Sequence, residues 1–344
     1  MFTNNLKYLL CTSIFLCIAN VFYGQDYIDV TDDVGINHSY DFALEGFFGG
    51  GASFMDFNGD GWDDITLATQ DGEDIHFYQN NNGTFERVFF SGLSNDCESK
   101  QVIWVDFDND GDKDFCVACQ NKANRLYENV GNMEFQDITV DAGLDLMIEH
   151  TFSVNFADIN NDGFLDLYIL NRWLFNERNS MLYLNNGDKT FTNISGSSNV
   201  WNTELAPFTS TFIDYDQDGF QDIVIAMDKY RGNHLFRNNG DLTFEDRSLA
   251  SGIHHPLDAM CITPGDYDND FDIDIYMTNT PLEGNHLFRN NGDLTFDTVE
   301  VDANLVVSGY CWGSNFIDAE NDGDLDIYIS AWYNYNTVNS SNLY

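Results

Sequence analysis

Six short acidic segments recur along this chain at near-constant spacing, each with oxygen-bearing side chains at alternate positions. They occupy residues 56–64, 106–114, 158–166, 214–222, 266–274 and 318–326, and read DFNGDGWDD, DFDNDGDKD, DINNDGFLD, DYDQDGFQD, DYDNDFDID and DAENDGDLD. Successive first residues are 50, 52, 56, 52 and 52 apart. A chain written this way must place one acidic loop in each of a series of equivalent structural units.

Alternate oxygens on a tight loop are what a hard cation such as calcium requires. Positions 1, 3 and 5 supply Asp56, Asn58 and Asp60; Asp106, Asp108 and Asp110; Asp158, Asn160 and Asp162; Asp214, Asp216 and Asp218; Asp266, Asp268 and Asp270; and Asp318, Glu320 and Asp322. Position 7 offers a backbone carbonyl, from Trp62, Asp112, Phe164, Phe220, Asp272 and Asp324. Position 9 is always acidic: Asp64, Asp114, Asp166, Asp222, Asp274 and Asp326. Position 6 is Gly in every loop but the fifth, where it is Phe271. The loops are not EF-hands, because position 12 is apolar throughout (Leu67, Val117, Ile169, Ile225, Met277, Ile329) where an EF-hand has its bidentate Glu. Up to six calcium ions are expected, bound more weakly at loop five, where Phe271 strains the turn, and at loop six, where Glu320 is one methylene longer than Asp.

After position 9 comes a short apolar run rich in β-branched and aromatic residues: DITLA, DFCVA, DLYIL, DIVIA, DIYMT and DIYIS. These read as buried strands. Between the loops lie aromatic strands flanking an Asn-Gly turn, and NHLFRNNGDLTF is repeated without change at 233–244 and 285–296. Such a segment reads as a hairpin whose turn accepts positive φ. Each repeat therefore carries about four antiparallel strands, the content of one propeller blade, and a period near 50 residues fits that architecture. No stretch after the first 24 residues shows a 3.6-residue period, so an all-β chain nearly free of helix is expected.

At this point the chain resembles the FG-GAP/VCBS repeat family of calcium-binding propellers. The segments YIDVTDDVGI (27–36) and FQDITVDAGL (135–144) are similar to the cartilage acidic protein/ASPIC-UnbV group. The resemblance implies a β-propeller, seven-bladed in the full protein, with calcium in the loop between the first two strands of most blades. It implies no ligand.

Residues 1–24, with Lys7 ahead of an apolar stretch, read as a secretory signal peptide, and residues 25–344 as the propeller. The chain stops where a third strand would begin, so an incomplete last repeat is expected, and residues 27–30 match a fourth strand that would close the ring. A secreted or cell-surface location follows, with no membrane span once the signal is removed. The formal charge of −43 excludes nucleic acid and anionic lipid as partners; six doubly charged ions would bring it to −31. Five cysteines remain beyond the signal, and Cys116 and Cys119 are expected to be ordinary strand-packing residues.

Seven histidines are scattered along the chain, and no nucleophile or zinc signature is present. The expectation is a non-catalytic module that binds an extracellular protein or glycan, its calcium structural. The alternative is a calcium-assisted enzyme such as a polysaccharide lyase, which needs a Lys, Arg, His or Tyr beside the metal. The connections from second to third strand are longest in repeats three and six and add Trp173, Phe175, Trp332, Tyr333 and Tyr335. These aromatics belong either to a ligand face opposite the calcium loops or to packing against a neighbouring blade.

Overall fold

A computed structural model describes residues 29–40, 50–94, 97–147, 150–172, 180–200, 206–282, 284–307, 309–332 and 340–343. Residues 1–24, expected from the sequence to be a signal peptide, and the aromatic connections at 173–179 and 333–339 lie outside the described residues, as does the Trp332 side chain.

Each repeat folds into one antiparallel sheet whose strands are laid down side by side. Blade one consists of Ala52–Met55, Asp64–Leu67, His76–Asn80 and Phe85–Val88. Blades two to five repeat the order, and the sixth sheet has Tyr310–Ile317, Asp326–Trp332 and Ser340–Leu343. Helix is confined, among the described residues, to single turns at Ser195–Ser198 and Ser248–Ser251, each closed by a left-handed residue, Asn199 or Gly252.

The core lies between blades. Val105, Phe107 and Leu126 of blade two pack with Leu167, Ile169, Tyr183 and Phe191 of blade three, and the same pattern joins blades three to four and four to five. A second strand is thus covered on both faces, which is why its sequence is continuously apolar instead of alternating. Asp114–Cys119, Asp166–Asn171, Asp222–Met227 and Asp274–Thr278 are buried at every residue. First strands contact the first strands of adjacent blades and line the axis of the propeller. Blade one differs. Ile65 and Leu67 are half-buried and Phe54 is 64% exposed, whereas Phe115 and Val117 at the equivalent strand-two positions are enclosed.

The link between blades is a short turn after each fourth strand. Gly143 of the 135–144 segment ends one such turn, and Ala142 O accepts the amide of Phe191 in the next blade. Asp29 and Val30 lead into a copy of it: Thr31 N donates to Asp29 Oδ1, as Thr139 N does to Asp137 Oδ1, and Val34 O accepts Phe85 N. Of the ring-closing strand expected at 27–30, residues 27 and 28 lie outside the described residues, and Asp29 and Val30 are not paired as a strand.

One cysteine expectation is overturned. Cys116 is packed in the core, but Cys119 is bonded to Cys97, with a Cα separation of 5.7 Å. Cys97 comes from the loop just before the first strand of blade two, and the antiparallel register sets Ser99 opposite Cys119. Pairing across neighbouring strands has no signal in the spacing of the cysteines along the chain.

Candidate metal centre

All six acidic loops join the first to the second strand of their blade and share one hydrogen-bonded form. In loops one, three, four, five and six the position-1 carboxylate accepts the position-5 amide at 3.0–3.1 Å. Its second oxygen accepts the position-6 amide at 2.8–3.2 Å in all six. Position 5 in turn accepts the position-7 amide at 2.9–3.1 Å. A chain folded around its own carboxylates must turn left-handed twice. Position 6 does so with φ between 90° and 96° at the five glycines and 73° at Phe271. Position 4 does so at Gly59, Asn109, Asn161, Gln217, Asn269 and Asn321. The fifth loop thus keeps the turn despite a side chain that opposes it.

Ligand-capable oxygens converge within 4.8 Å of one another in three loops: Asp106, Asp108 and Asp114; Asp214, Asp216 and Asp218; and Asp266, Asp268 and Asp274. In loops one and three the position-3 residue is Asn, and its amide donates to the position-5 carboxylate, Asn58 to Asp60 at 3.0 Å and Asn160 to Asp162 at 2.9 Å. In loop six Glu320 turns to Asp326, and that hydrogen bond and charge push its pKa up. The chemistry of the donor set fits a hard cation, since every side-chain donor is an oxygen. Asp106 Oδ1 supplies an independent sign of fit: it is buried, has no hydrogen-bond partner and lies in one of the convergent groups.

Position 9 does more than the sequence indicates. Asp64, Asp114, Asp166, Asp222 and Asp274 are fully buried. In each, Oδ2 accepts the position-2 amide at 3.0–3.2 Å. Oδ1 accepts the amide of the Asn that ends the third strand at 2.7–2.8 Å. Burial outweighs these bonds and pushes the carboxyls of Asp114, Asp222 and Asp274 up to about 7 and that of Asp166 up to about 6. The position-9 residue is the hinge that ties each loop to the hairpin beside it.

Two sets of residues that join the loops escaped the sequence reading. The first Asn of each Asn-Asn-Gly run is a brace. Asn185, Asn238 and Asn290 donate to Phe107 O, Ile159 O and Tyr215 O of the preceding blade's loop at 2.8 Å, and also to the position-8 carbonyl of their own loop. The position-4 amides reach the following loop: Asn109 to Gly163 O, Asn161 to Gly219 O, Gln217 to Phe271 O, and Asn269 to Asp324 Oδ1, at 2.7–3.0 Å. Loops two to six thus form one hydrogen-bonded series. The available signal was the run of Asn or Gln at position 4.

Cations also stand at the loops. Lys189 Nζ lies 2.8 Å from Asp108 Oδ2 and 2.5 Å from Glu128 Oε1, and Arg237 pairs with Asp216 and Asp218. Hydrogen bonds to Asp108 and Glu128 raise the Lys189 pKa, which makes it a poor base. The histidines are less scattered than the sequence suggests. His38 meets His76, His234 meets His254 and His255 meets His286, with ring centroids 4.9, 6.1 and 5.4 Å apart.

No helix among the described residues is long and apolar enough to cross a membrane. The FG-GAP-like repeat model matches residues 56–117, 106–169, 214–277 and 266–329, which together make up more than half of the chain. Cartilage acidic protein 1 of Xenopus tropicalis is 24% identical over 318 residues, covering 81% of this chain and 48% of that protein. The Mus musculus cartilage acidic protein 1 is 27% identical over 192 residues, covering 51% of this chain and 29% of the relative. The chain therefore spans about half or less of the curated relatives it matches. Among solved structures, an Agrocybe aegerita lectin that recognises non-reducing terminal N-acetylglucosamine superposes with a TM-score of 0.50 at 20% identity, over 87% of this chain and 81% of that one. BBS1N in complex with ARL6DN superposes with a TM-score of 0.51 at 10% identity, over 83% and 77%. These likenesses show the propeller fold, and with acidic loops at the positions that the repeat model matches, this chain belongs to the FG-GAP-like repeat family.

Proposed function

We propose that this chain is a secreted or cell-surface, non-catalytic binding module whose propeller is held together by calcium. Each acidic loop binds one ion through the oxygens of positions 1, 3, 5 and 9 and the position-7 carbonyl, with loops five and six weakest. The observation that carries this reading is the convergence of Asp oxygens in loops two, four and five on a backbone turn that all six loops share. The ions are structural in this reading, because every loop supplies its own donors and loops two to six are bonded in series, so an ion fixed in one of these stiffens the next. The partner is an extracellular protein or glycan.

Calcium binding and folding are then linked. An ion at one hundred times its Kd adds about 2.7 kcal/mol. Thermal unfolding in millimolar calcium is expected at a clearly higher temperature than in excess EGTA, with several ions bound per chain by equilibrium dialysis. Equal melting temperatures in the two conditions would remove the structural-metal reading. Binding to immobilised extracellular proteins and glycans, retained in calcium and lost in EGTA, tests the module itself.

A further inference from the structure

The residue after the third-strand aromatic is Gln79, Glu128, Leu184, Arg237 and Arg289 in blades one to five, the last two alike. In three blades its contacts run to an acidic loop or to a cation that bridges to one. Gln79 Nε2 donates to Asp60 Oδ2 at 3.3 Å. Glu128 shares Lys189 with Asp108. In blade four Arg237 spans the loop, with Nε on Asp216 and Nη2 2.5 Å from Asp218 Oδ2. Those two carboxylates are positions 3 and 5 of a convergent group. The Asp216 side chain is 3% exposed, while those of Arg237 and Asp218 are each 28% exposed.

A guanidinium on two carboxylates makes charge-assisted hydrogen bonds and offsets their repulsion. A divalent ion entering the same loop must displace it or bind beside a like charge. We propose that Arg237 is a built-in counter-cation for loop four. It holds Asp216 and Asp218 together while no metal is bound, competes with calcium for them, and makes loop four a weaker site than its full set of carboxylates implies. The contact, and not the residue type alone, sets this: Arg289 at the same position of blade five pairs with Asp297 of the fourth strand at 3.5 Å, whereas Arg237 lies on the carboxylates of its own loop. The inference rests on the calcium reading above, and it places loop four with the weak loops although its sequence pattern is complete.

The test uses the full chain, with calcium as the probe, followed by titration calorimetry and by thermal unfolding in EGTA and in millimolar calcium. Arg237→Gln is expected to tighten one site by about tenfold or more, the equivalent of losing one charged hydrogen-bond partner from the competition. It should lower the melting temperature in EGTA and widen the gap between EGTA and calcium. Arg237→Lys keeps the charge and should keep the weak site. The proposal is overturned if Arg237→Gln leaves the isotherm unchanged, or lowers the melting temperature equally in both conditions, as a purely structural ion pair would. A wild-type chain that binds no calcium removes this inference together with the calcium reading, whereas normal wild-type binding with unresponsive variants removes this inference alone.

Discussion

Single residues show where local preference and the repeat disagree. Phe271 holds φ 73° where its counterparts are glycine, and its ring is 84% exposed, so the side chain gains little to offset the strained turn. Phe271→Gly should raise stability by about 0.5–1 kcal/mol in urea unfolding, after allowance for the extra freedom of glycine in the unfolded chain, and should tighten loop five. The histidine pair of blade one sets a second expectation. His38 and His76 bring Nδ1 atoms within 3.1 Å. Burial lowers both pKa values, opposed by Glu73 and reinforced by Arg87, with Asp74 also facing His76. A folded pKa below the unfolded one means that the unfolded chain binds more protons near pH 6. The stability contribution is complete above about pH 6.5 and is lost as pH falls through the lowered values. The buried carboxyls of Asp114, Asp166, Asp222 and Asp274 bind protons on folding over the same range and act in the opposite direction, so the histidine loss is read by difference: from pH 7.5 to pH 5.5 the wild-type chain should lose stability relative to a His38→Gln/His76→Gln double variant.

At the scale of elements, the hairpin and the acidic loop of one blade behave as one unit because the brace Asn and the position-9 Asp join them. Asn238 is fully buried, donates to Ile159 O and Gln221 O, and accepts Gly240 N. Asn238→Ala leaves one buried and one half-buried carbonyl without that donor and should cost about 1–3 kcal/mol by urea unfolding. A loss below 1 kcal/mol would show that water replaces the amide. The Cys97–Cys119 bond closes a 22-residue separation. Cys97→Ala/Cys119→Ala should lower stability by about 2–4 kcal/mol in the chain-entropy picture, read from unfolding without reductant.

In the whole molecule, stability is distributed between blades, because each apolar face is covered by the next blade and not by a second layer of its own. Blade one is the measure of this. Ile65 is half-buried there, while Ile223, its counterpart in blade four, is fully enclosed. Ile223→Ala should cost about 3–4 kcal/mol and Ile65→Ala in this chain about half of that or less, by denaturant unfolding. Equal costs would mean that the blade-one face is covered in solution, by a further blade or by another molecule.

The sequence by itself determined the repeat, the acidic loops and the buried second strands. These are local: alternate donors, a left-handed turn and an apolar run all act over fewer than ten residues, and the period of about 52 then dictates equivalent blades. Residue 271 was legible as strained before its φ was known, for the same reason. Only the tertiary structure decided how the loops are joined. Asn185, Asn238 and Asn290 reach carbonyls 75 to 79 residues away, and the position-4 amides reach loops 54 to 58 residues on. Such partners meet because stacked blades bring equivalent positions side by side, which no local pattern encodes. The Cys97–Cys119 bond, the histidine pairs and the place of Arg237 on Asp216 and Asp218 have the same origin. Each depends on which strands become neighbours, and that is settled by packing apolar faces between blades.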